Sequence, residues 1–454
     1  MLVTEFFYLK GSNVVQLKKV LKLLVICILF DLMAFLAMVA VYTIPTSKIN
    51  LNLSYSLNIY RKERSYPQYI PAYHFSLLNN QTDALMLNKA MHDGGNDLHS
   101  IVQSAMLNPE YNVPNISGDI NILMSAVSQG TRETIINDPR YWHGYLVFLK
   151  PLLYCFTVPD IRAINIILQF VLFAYLLLLL YKQGGYKLAL PFLIFPIVLN
   201  PFSCAFCLQY AIIYYTTLIA NLLMLKRKLY TSDRYWELFL IIGLCVAFLD
   251  SLSYPLVSLG IPLILLTVLS DEELFPKIKK VIFASIAWSI GYTFSWLSNW
   301  SLTTMITGHN IFSEAWHSVK WRTLYSDLSD NTIETALKRN LDVLFLNHNL
   351  PHLFIVICLI LIFICVYKRY SVKIKSSTIL PLLLITVYPF VWIIIVRNHS
   401  ILHYWMTYRI FAISFLAFAY IISYSLEKKT KKRYKNKVKT LMKIVNQFKF
   451  KEKL

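Results

Sequence analysis

Long apolar runs separated by short polar turns fill the chain between Leu21 and Tyr424, and two long polar loops interrupt them. Runs of this length match the roughly 20 residues with which an α-helix crosses about 30 Å of hydrocarbon. The predicted helices include Leu23–Tyr42, Ile161–Tyr181, Ala205–Leu225, Trp236–Leu252, Val281–Ser301, Leu353–Tyr367, Ile379–Val396 and Trp405–Ser423. The pattern therefore predicts one all-α polytopic membrane domain over residues 1–454, with about ten transmembrane helices.

Composition and charge agree with this class. Hydrophobic residues make up 57% of the chain and charged residues only 15%, while the formal net charge is +20. In a soluble protein this charge would suggest nucleic acid. Here much of it lies in the basic tail 427–454 and in short turns, so it predicts orientation and contact with membrane lipids, and no nucleic-acid partner. Placing the tail and the turns in the cytoplasm puts both termini inside. The basic turns are Lys182–Lys187, Lys226–Arg234, Lys277–Lys280 and Lys368–Lys375.

The remaining polar segments then face outwards. The first extracytoplasmic loop covers residues 45–160 and the second covers residues 303–352, with a short third turn at Arg397–His403. The apolar segment Tyr145–Val158, of about 14 residues, is too short to cross comfortably. We predict that it forms an interfacial or re-entrant helix, one of several interfacial helices in the first loop.

Acidic residues in the first loop are candidates for catalysis. Asp83 opens an apolar stretch with helical spacing, so Thr82 or Asp83 would suit the N-cap of a membrane-lying helix. Burial beside an apolar surface would raise the pKa of Asp83 and make it a better general base. A plain capping role is the alternative. Asp93 and Asp97 lie in His92–His99, a segment that fits either a divalent cation such as Mg²⁺ or Mn²⁺ or a solvated polar turn.

Two further segments suit the binding of a phosphate group and a sugar ring. Before the short apolar segment stand Arg140, Tyr141, Trp142 and His143. Arginine binds phosphate with two parallel hydrogen bonds, and aromatic faces stack on sugars. An ordinary aromatic belt at the membrane interface is the alternative explanation. The last outer turn contributes the second set, which comprises His399, His403, Tyr404 and Arg409.

Two charged residues near the ends of predicted spans, Arg409 and Asp250, are further candidates for the site. Arg409 would enter the final span within about two turns of its outer end, and an intramembrane arginine usually faces a polar cavity or a phosphate. Asp250 lies near the outer end of another span, where it could pair with Arg409 or line the same cavity. Neither a Walker-type loop nor a dinucleotide-binding glycine motif is present, which argues against ATP-driven transport. Cys204 and Cys207 lack the second pair that a metal site would need.

The layout resembles the GT-C class of membrane glycosyltransferases. The corresponding parts are the first loop with Asp83, the helix Tyr145–Val158 and the second loop. Three short segments are also similar to segments of uncharacterised bacterial envelope proteins grouped with this class, namely Tyr141–Tyr145, Asp250–Pro255 and Asn398–Arg409. Many members place an acid soon after the first span, whereas Pro45–Tyr60 contains none.

The resemblance implies an inverting glycosyltransferase of the bacterial plasma membrane. It would move a sugar from a polyprenyl-phosphate donor to a surface glycan or lipid-linked acceptor on the outer face. Asp83 would be the general base, with Asp97 and Asp93 in reserve. Two alternatives stay open: an O-antigen or capsule polymerase that relies on arginine and histidine, and a flippase for lipid-linked precursors.

Overall fold

The computed structural model describes residues 13–71, 74–113, 116–128, 134–323, 331–345, 370–372 and 375–428. The predicted span Leu353–Tyr367, the end of the second loop and nearly all of the basic tail lie outside these residues. The helices of the N-terminal half are α1 Asn13–Val41, α2 Thr46–Glu63, α3 Asn80–Ala90, α4 Leu98–Leu107, α5 Asp119–Ser128, α6 Leu146–Cys155, α7 Val158–Gly184, α8 Tyr186–Phe192, α9 Ile194–Leu199, α10 Pro201–Phe206 and α11 Leu208–Lys226. Those of the C-terminal half are α12 Tyr235–Leu249, α13 Leu256–Leu269, α14 Leu274–Thr307, α15 Ile311–Thr323, α16 Ile333–Phe345, α17 Ser376–Thr386, α18 Tyr388–Ile395, α19 Arg397–Leu402, α20 Tyr404–Thr407 and α21 Ala412–Ser425.

Six helical segments among these are long and apolar enough to cross a membrane. They are Leu17–Val41, Val158–Gly184, Leu208–Lys226, Leu274–Thr307, Ser376–Ile395 and Tyr404–Ser425. Five predicted runs coincide with them closely, and Val281–Ser301 is the centre of a longer, 34-residue helix. Large aliphatic and aromatic side chains on α1 and α7 stay exposed, Phe170 to 70%. Such an extended apolar surface is typical of contact with lipid, so the helical membrane class is confirmed.

Shorter apolar helices fill the centre of the bundle. The run predicted as Trp236–Leu252 is the 15-residue α12, which ends at Leu249, and the 14-residue α13 follows. α12 packs tightly on α14 because glycines face each other. A Cβ on Gly243 would lie 2.1 Å from the carbonyl oxygen of Trp288, and one on Gly291 would lie 2.2 Å from that of Leu240. Small residues allow such close approach of membrane helices.

The first loop is a packed unit with its own hydrophobic core. Five helices, α2 to α6, surround a two-stranded antiparallel sheet of β1 Pro109–Asn112 and β2 Thr134–Asn137, in which Pro109 faces Asn137. The short segment predicted as an interfacial helix is the separate ten-residue helix α6. Its successor α7 begins at a capping box of Thr157 and Asp160. A second two-stranded sheet joins β3 Tyr370–Val372 to β4 Leu426–Lys428. The structure therefore contains short strands that the all-α prediction did not include.

One end of the bundle carries the first loop, and we call it the loop end. The segment 250–255, the helices α15 and α16 and the short helices α19 and α20 also lie there. Side chains of α14 fix the first loop in place, since the amide of Asn299 donates to the carbonyl of Pro139 over 2.9 Å. Basic side chains gather at the opposite end, where Lys22 pairs with Glu237 over 2.6 Å and Lys280 pairs with Glu272 over 2.7 Å.

Candidate functional site

Three segments that are far apart in the sequence meet at the loop end around Arg322, close to the end of α15. Its Nη1 donates to Nδ1 of His399 over 2.8 Å, and its Nη2 donates to the hydroxyl of Tyr141. The amide of Asn398 holds α19 against α15 by donating to the carbonyl of Trp321 over 2.7 Å. We call the following set the arginine cluster: Arg322, Tyr141, His399, His403 and Asp250.

The hydrogen bonds of His399 fix its proton. A guanidinium can only donate, so Nδ1 must accept from Arg322. A carbonyl can only accept, so Nε2 carries the proton that it donates to the carbonyl of Leu252 over 3.0 Å. The imidazole is therefore neutral. Burial and the charge of Arg322 both lower the pKa of His399, and the same causes lower that of His403 to about 4.

Arg322 has no carboxylate within ion-pair distance in the part of the chain that the structure describes. Two of its five N–H groups serve His399 and Tyr141, which leaves three for another acceptor. The side chain is half-buried. A half-buried guanidinium that is oriented by two neutral side chains and lacks a counter-ion is suited to bind an anion.

The turn between α12 and α13 brings a carboxylate to the same place. Asp250 is buried and accepts hydrogen bonds from the backbone N–H and the hydroxyl of Ser253. Burial raises the pKa of Asp250 to about 6 despite these hydrogen bonds. Leu252, whose carbonyl accepts the hydrogen bond from His399, has φ of 66°, a left-handed conformation that is costly for leucine. Strain of this kind is often stored at functional sites. Asp250 and Arg409 form no ion pair, so this one of the two possibilities that the sequence left open for Asp250 is wrong.

A second charged group surrounds Asp138 beside the arginine cluster. Its carboxylate accepts from Arg140 Nε over 3.1 Å and lies 3.2 Å from His143 Nε2 and 3.8 Å from the buried Lys89. Burial alone would raise the pKa of Asp138, but the hydrogen bond from His143 and the two cations outweigh it and lower the pKa. Arg140 also lies 3.4 Å from Glu314. The charge of Arg140 is thus already compensated, unlike that of Arg322.

The aromatic candidates have differing roles. Trp142 is 1% exposed, and its Nε1 donates to the carbonyl of Ser295 over 2.8 Å, so it anchors the first loop on α14. His143 is also buried, and burial lowers its pKa against the opposing effect of Asp138. Tyr404 is half-buried, with its ring centroid 5.9 Å from that of His74. Of these three, Tyr404 alone remains partly accessible.

Asp83 lies away from the arginine cluster and is fully buried. Its two oxygens accept from the backbone N–H groups of Leu208, over 3.0 Å, and Gln209, over 3.2 Å. It therefore binds the first turn of α11, whose N–H groups have no partner within the helix. Burial raises the pKa of Asp83 to about 6, as expected. The predicted N-cap is wrong, because Asn79 caps α3 by accepting from the N–H of Thr82.

Asp97 and Asp93 lie in the turn before α4. Asp97 is the N-cap of that helix and accepts from the N–H of Ser100 over 3.0 Å. In the described ranges, no three His, Cys, Asp or Glu side chains converge on one point that could hold a metal ion. This geometry accordingly offers no basis for the Mg²⁺ or Mn²⁺ suggested by the sequence.

Arg409 is fully buried between aromatic rings. Its guanidinium carbon lies 3.9 Å from the ring centroid of Tyr210 and 4.8 Å from that of Tyr408. Nε donates to the carbonyl of Leu199 over 3.0 Å, and Nη1 donates to that of Trp405 over 2.9 Å. These contacts tie α9 to the last span and hold the Arg409 guanidinium within the core of the bundle.

Sequence reasoning missed the residues that depend most on distant partners. Arg322 is one of two cations at the end of α15, and no local signal distinguishes it from Lys320. Asp138 lies two residues before Arg140, the first residue of the candidate binding segment Arg140–His143. Arg162 is buried in α7, where its Nη1 pairs with Glu63 over 2.9 Å. Its position inside a predicted span is a signal visible in the sequence, because an arginine within a membrane span usually has a polar partner or a function.

Comparisons with protein-family models, with curated proteins and with solved structures gave no match for this chain. The resemblance to GT-C enzymes therefore rests on the layout and on the site residues alone.

Proposed function

We propose that the chain crosses the bacterial plasma membrane about ten times, with both termini in the cytoplasm and the loop end outside. The six long spans would be joined by three shorter apolar segments, namely Tyr186–Leu199, α12 and α13, and by Leu353–Tyr367, which lies outside the described residues. With ten crossings, the segments that connect successive spans lie alternately outside and inside the cell. This arrangement gives Asp250, Tyr141, Arg322 and His399 to the outer side, in agreement with the contacts of Arg322 with Tyr141 and His399.

The activity that we propose is transfer of a glycosyl group from a polyprenyl-phosphate donor to a surface glycan or lipid-linked acceptor. The observation that carries it is Arg322, a half-buried cation at the meeting point of three outer segments, which has no counter-ion among the described residues. A lipid-linked phosphate would reach this position from the membrane surface. Arginine matches phosphate oxygens with parallel N–H donors.

The chemistry follows from the groups at the arginine cluster. Arg322 would hold the donor phosphate and neutralise the charge that grows on it as the sugar–phosphate bond breaks. An acceptor hydroxyl would attack the anomeric carbon from the opposite face, so that the configuration inverts. Asp250 would take the hydroxyl proton, because it is the carboxylate of the arginine cluster and its raised pKa also suits a base near neutral pH. Asp138, whose pKa is lowered, would stay ionised and orient His143 and Arg140.

A polymerase is the second candidate, and the burial of Asp83 favours it. The carboxylate that the GT-C resemblance would make the base has both oxygens engaged by backbone N–H groups. A polymerase that joins lipid-linked oligosaccharides by arginine and histidine chemistry does not need that base. The arginine cluster would then hold the phosphate groups of the lipid-linked substrate.

Transfer of label tests the proposal. Full-length protein in lipid nanodiscs is incubated with radiolabelled undecaprenyl-phosphate sugars and an envelope lipid acceptor. We expect a labelled product with wild type and with Lys320→Ala, which removes an exposed cation from the same helix, but not with Arg322→Ala. Labelled oligosaccharide joined only when both substrates are lipid-linked would identify the polymerase. Movement of lipid across vesicles without a new glycosidic bond would identify a flippase and refute transfer.

A further inference from the structure

Four aromatic residues follow one face of α14 at intervals of four, and they lead to the arginine cluster. They are Trp288, Tyr292, Trp296 and Trp300. Successive ring centroids lie 4.9, 6.0 and 5.7 Å apart. The ring of Trp296 also lies 5.2 Å from that of Tyr141, the residue that receives a hydrogen bond from Arg322. Tyr141 thus connects this row of rings to the proposed phosphate site.

All four rings pack in the core, but hydrogen bonding separates Trp288 and Trp300 from Trp296 and Tyr292. The indole N–H of Trp288 donates to the hydroxyl of Ser258 over 3.1 Å, and that of Trp300 donates to the carbonyl of Arg140 over 3.0 Å. In contrast, Nε1 of Trp296 and the hydroxyl of Tyr292 are buried, and within the described residues neither has a hydrogen-bond partner outside this pair. Unsatisfied buried donors are costly, so a ligand that supplies acceptors would account for both.

The ring of Trp296 meets its aromatic neighbours at steep angles. Its contacts with Tyr141 and Trp300 are edge-on, with interplanar angles of 70° and 89°, and its contact with Tyr292 is tilted by 44°. Trp288 differs, because it stacks in parallel on Tyr292 with an angle of 9°. Among the described rings, none stacks in parallel on Trp296.

We propose that Trp296 and Tyr292 form the subsite for the donor sugar ring. The apolar C–H face of the sugar would lie on the Trp296 ring, and its hydroxyl oxygens would accept from Nε1 of Trp296 and the hydroxyl of Tyr292. A pocket lined by aromatic rings with a few placed polar groups is typical of small-molecule recognition. Tyr141 places this subsite next to Arg322, as a sugar joined directly to a phosphate requires. The inference rests on the proposed function, since Arg322 supplies the phosphate site.

Binding of two kinds of lipid tests the subsite. The probes are bare undecaprenyl phosphate and undecaprenyl phosphate that carries glucose, galactose, mannose or N-acetylglucosamine, each titrated against full-length protein in nanodiscs. We expect wild type to bind at least one sugar-bearing lipid more tightly than the bare lipid. Trp296→Leu should lose at least about fivefold of that preference, the size expected for one ring contact and one buried hydrogen bond, with affinity for the bare lipid unchanged.

Two further variants keep the test decisive. Tyr292→Phe removes only a hydroxyl, so it should fold and lose part of the preference. Trp316→Leu removes a tryptophan that is 58% exposed on α15 and should change neither affinity. The subsite is overturned if wild type prefers no sugar, or if Trp296→Leu keeps the preference or weakens both lipids equally. Failure of the proposed function is a different result, in which Arg322→Ala binds the bare lipid as well as wild type does.

Discussion

Replacement of Arg322 by alanine is the most direct perturbation of the proposed site. The variant loses the hydrogen bonds to His399 and Tyr141 and the three N–H groups left for a phosphate. A donor that stabilises charge developing in the transition state contributes about 10²–10³ in kcat, or ~2.7–4 kcal/mol. We expect a fall of this size. Arg322→Lys keeps the charge but cannot bond two partners and a phosphate in one plane, so we expect an intermediate rate.

The assay is the initial rate of label transfer at saturating donor, with wild type, both Arg322 variants and Lys320→Ala purified in the same nanodiscs. Lys320 is exposed two residues away on α15 and reports on the general effect of surface charge. A rate for Arg322→Ala within about threefold of wild type would refute the reasoning, since one donor is expected to contribute far more. An equal fall in Lys320→Ala would show that only long-range attraction of the anionic donor had been lost, and such an effect would weaken with added salt.

Three other results are expected. Asp83→Asn should keep transfer within about threefold of wild type and lose ~1–3 kcal/mol of stability, measured as a lower thermal midpoint, because one buried hydrogen bond is impaired; an inactive, fully stable variant would contradict this. Gly243→Leu should prevent a monodisperse product in size-exclusion chromatography, because its Cβ would meet the Trp288 carbonyl at 2.1 Å, whereas Ile241→Leu should fold. Transfer should fall as pH drops through about 6, because protonation removes the Asp250 base, and the same limb should persist in Asp83→Asn; a flat profile from about pH 5 to 8 would exclude this base.

Much of the fold could be predicted from the sequence, because crossing hydrocarbon imposes a length and a composition that no other context needs. The polar residues beside span ends were also recognisable, and Tyr141 and His399 do meet. Their common partner Arg322 was not recognisable. It lies 181 residues from Tyr141 and 77 from His399, and only the packing of α15 against α19 selects it over the neighbouring Lys320.

Asp83, unlike Arg322, was recognisable in the sequence, but its role was not. A lone carboxylate at the start of an apolar stretch indicates either a cap or a base, and the spacing does not separate the two. The deciding contact is with the first turn of α11, 125 residues further along the chain. The prediction of a raised pKa was right because burial was inferred correctly, but a raised pKa alone identifies a buried carboxylate and not a catalytic one.

The hydrogen bonds of His399 narrow the choice of base in the arginine cluster. While Arg322 occupies Nδ1 and the carbonyl of Leu252 receives the proton on Nε2, the imidazole has no free lone pair. It can orient Arg322, but it cannot take a proton from an acceptor. Asp138 is a poor base because its pKa is lowered. Of His399, Asp138 and Asp250, only Asp250 then remains as a base, so an acidic limb near pH 6 would favour transfer with a carboxylate base. Its absence would favour a polymerase that acts through arginine.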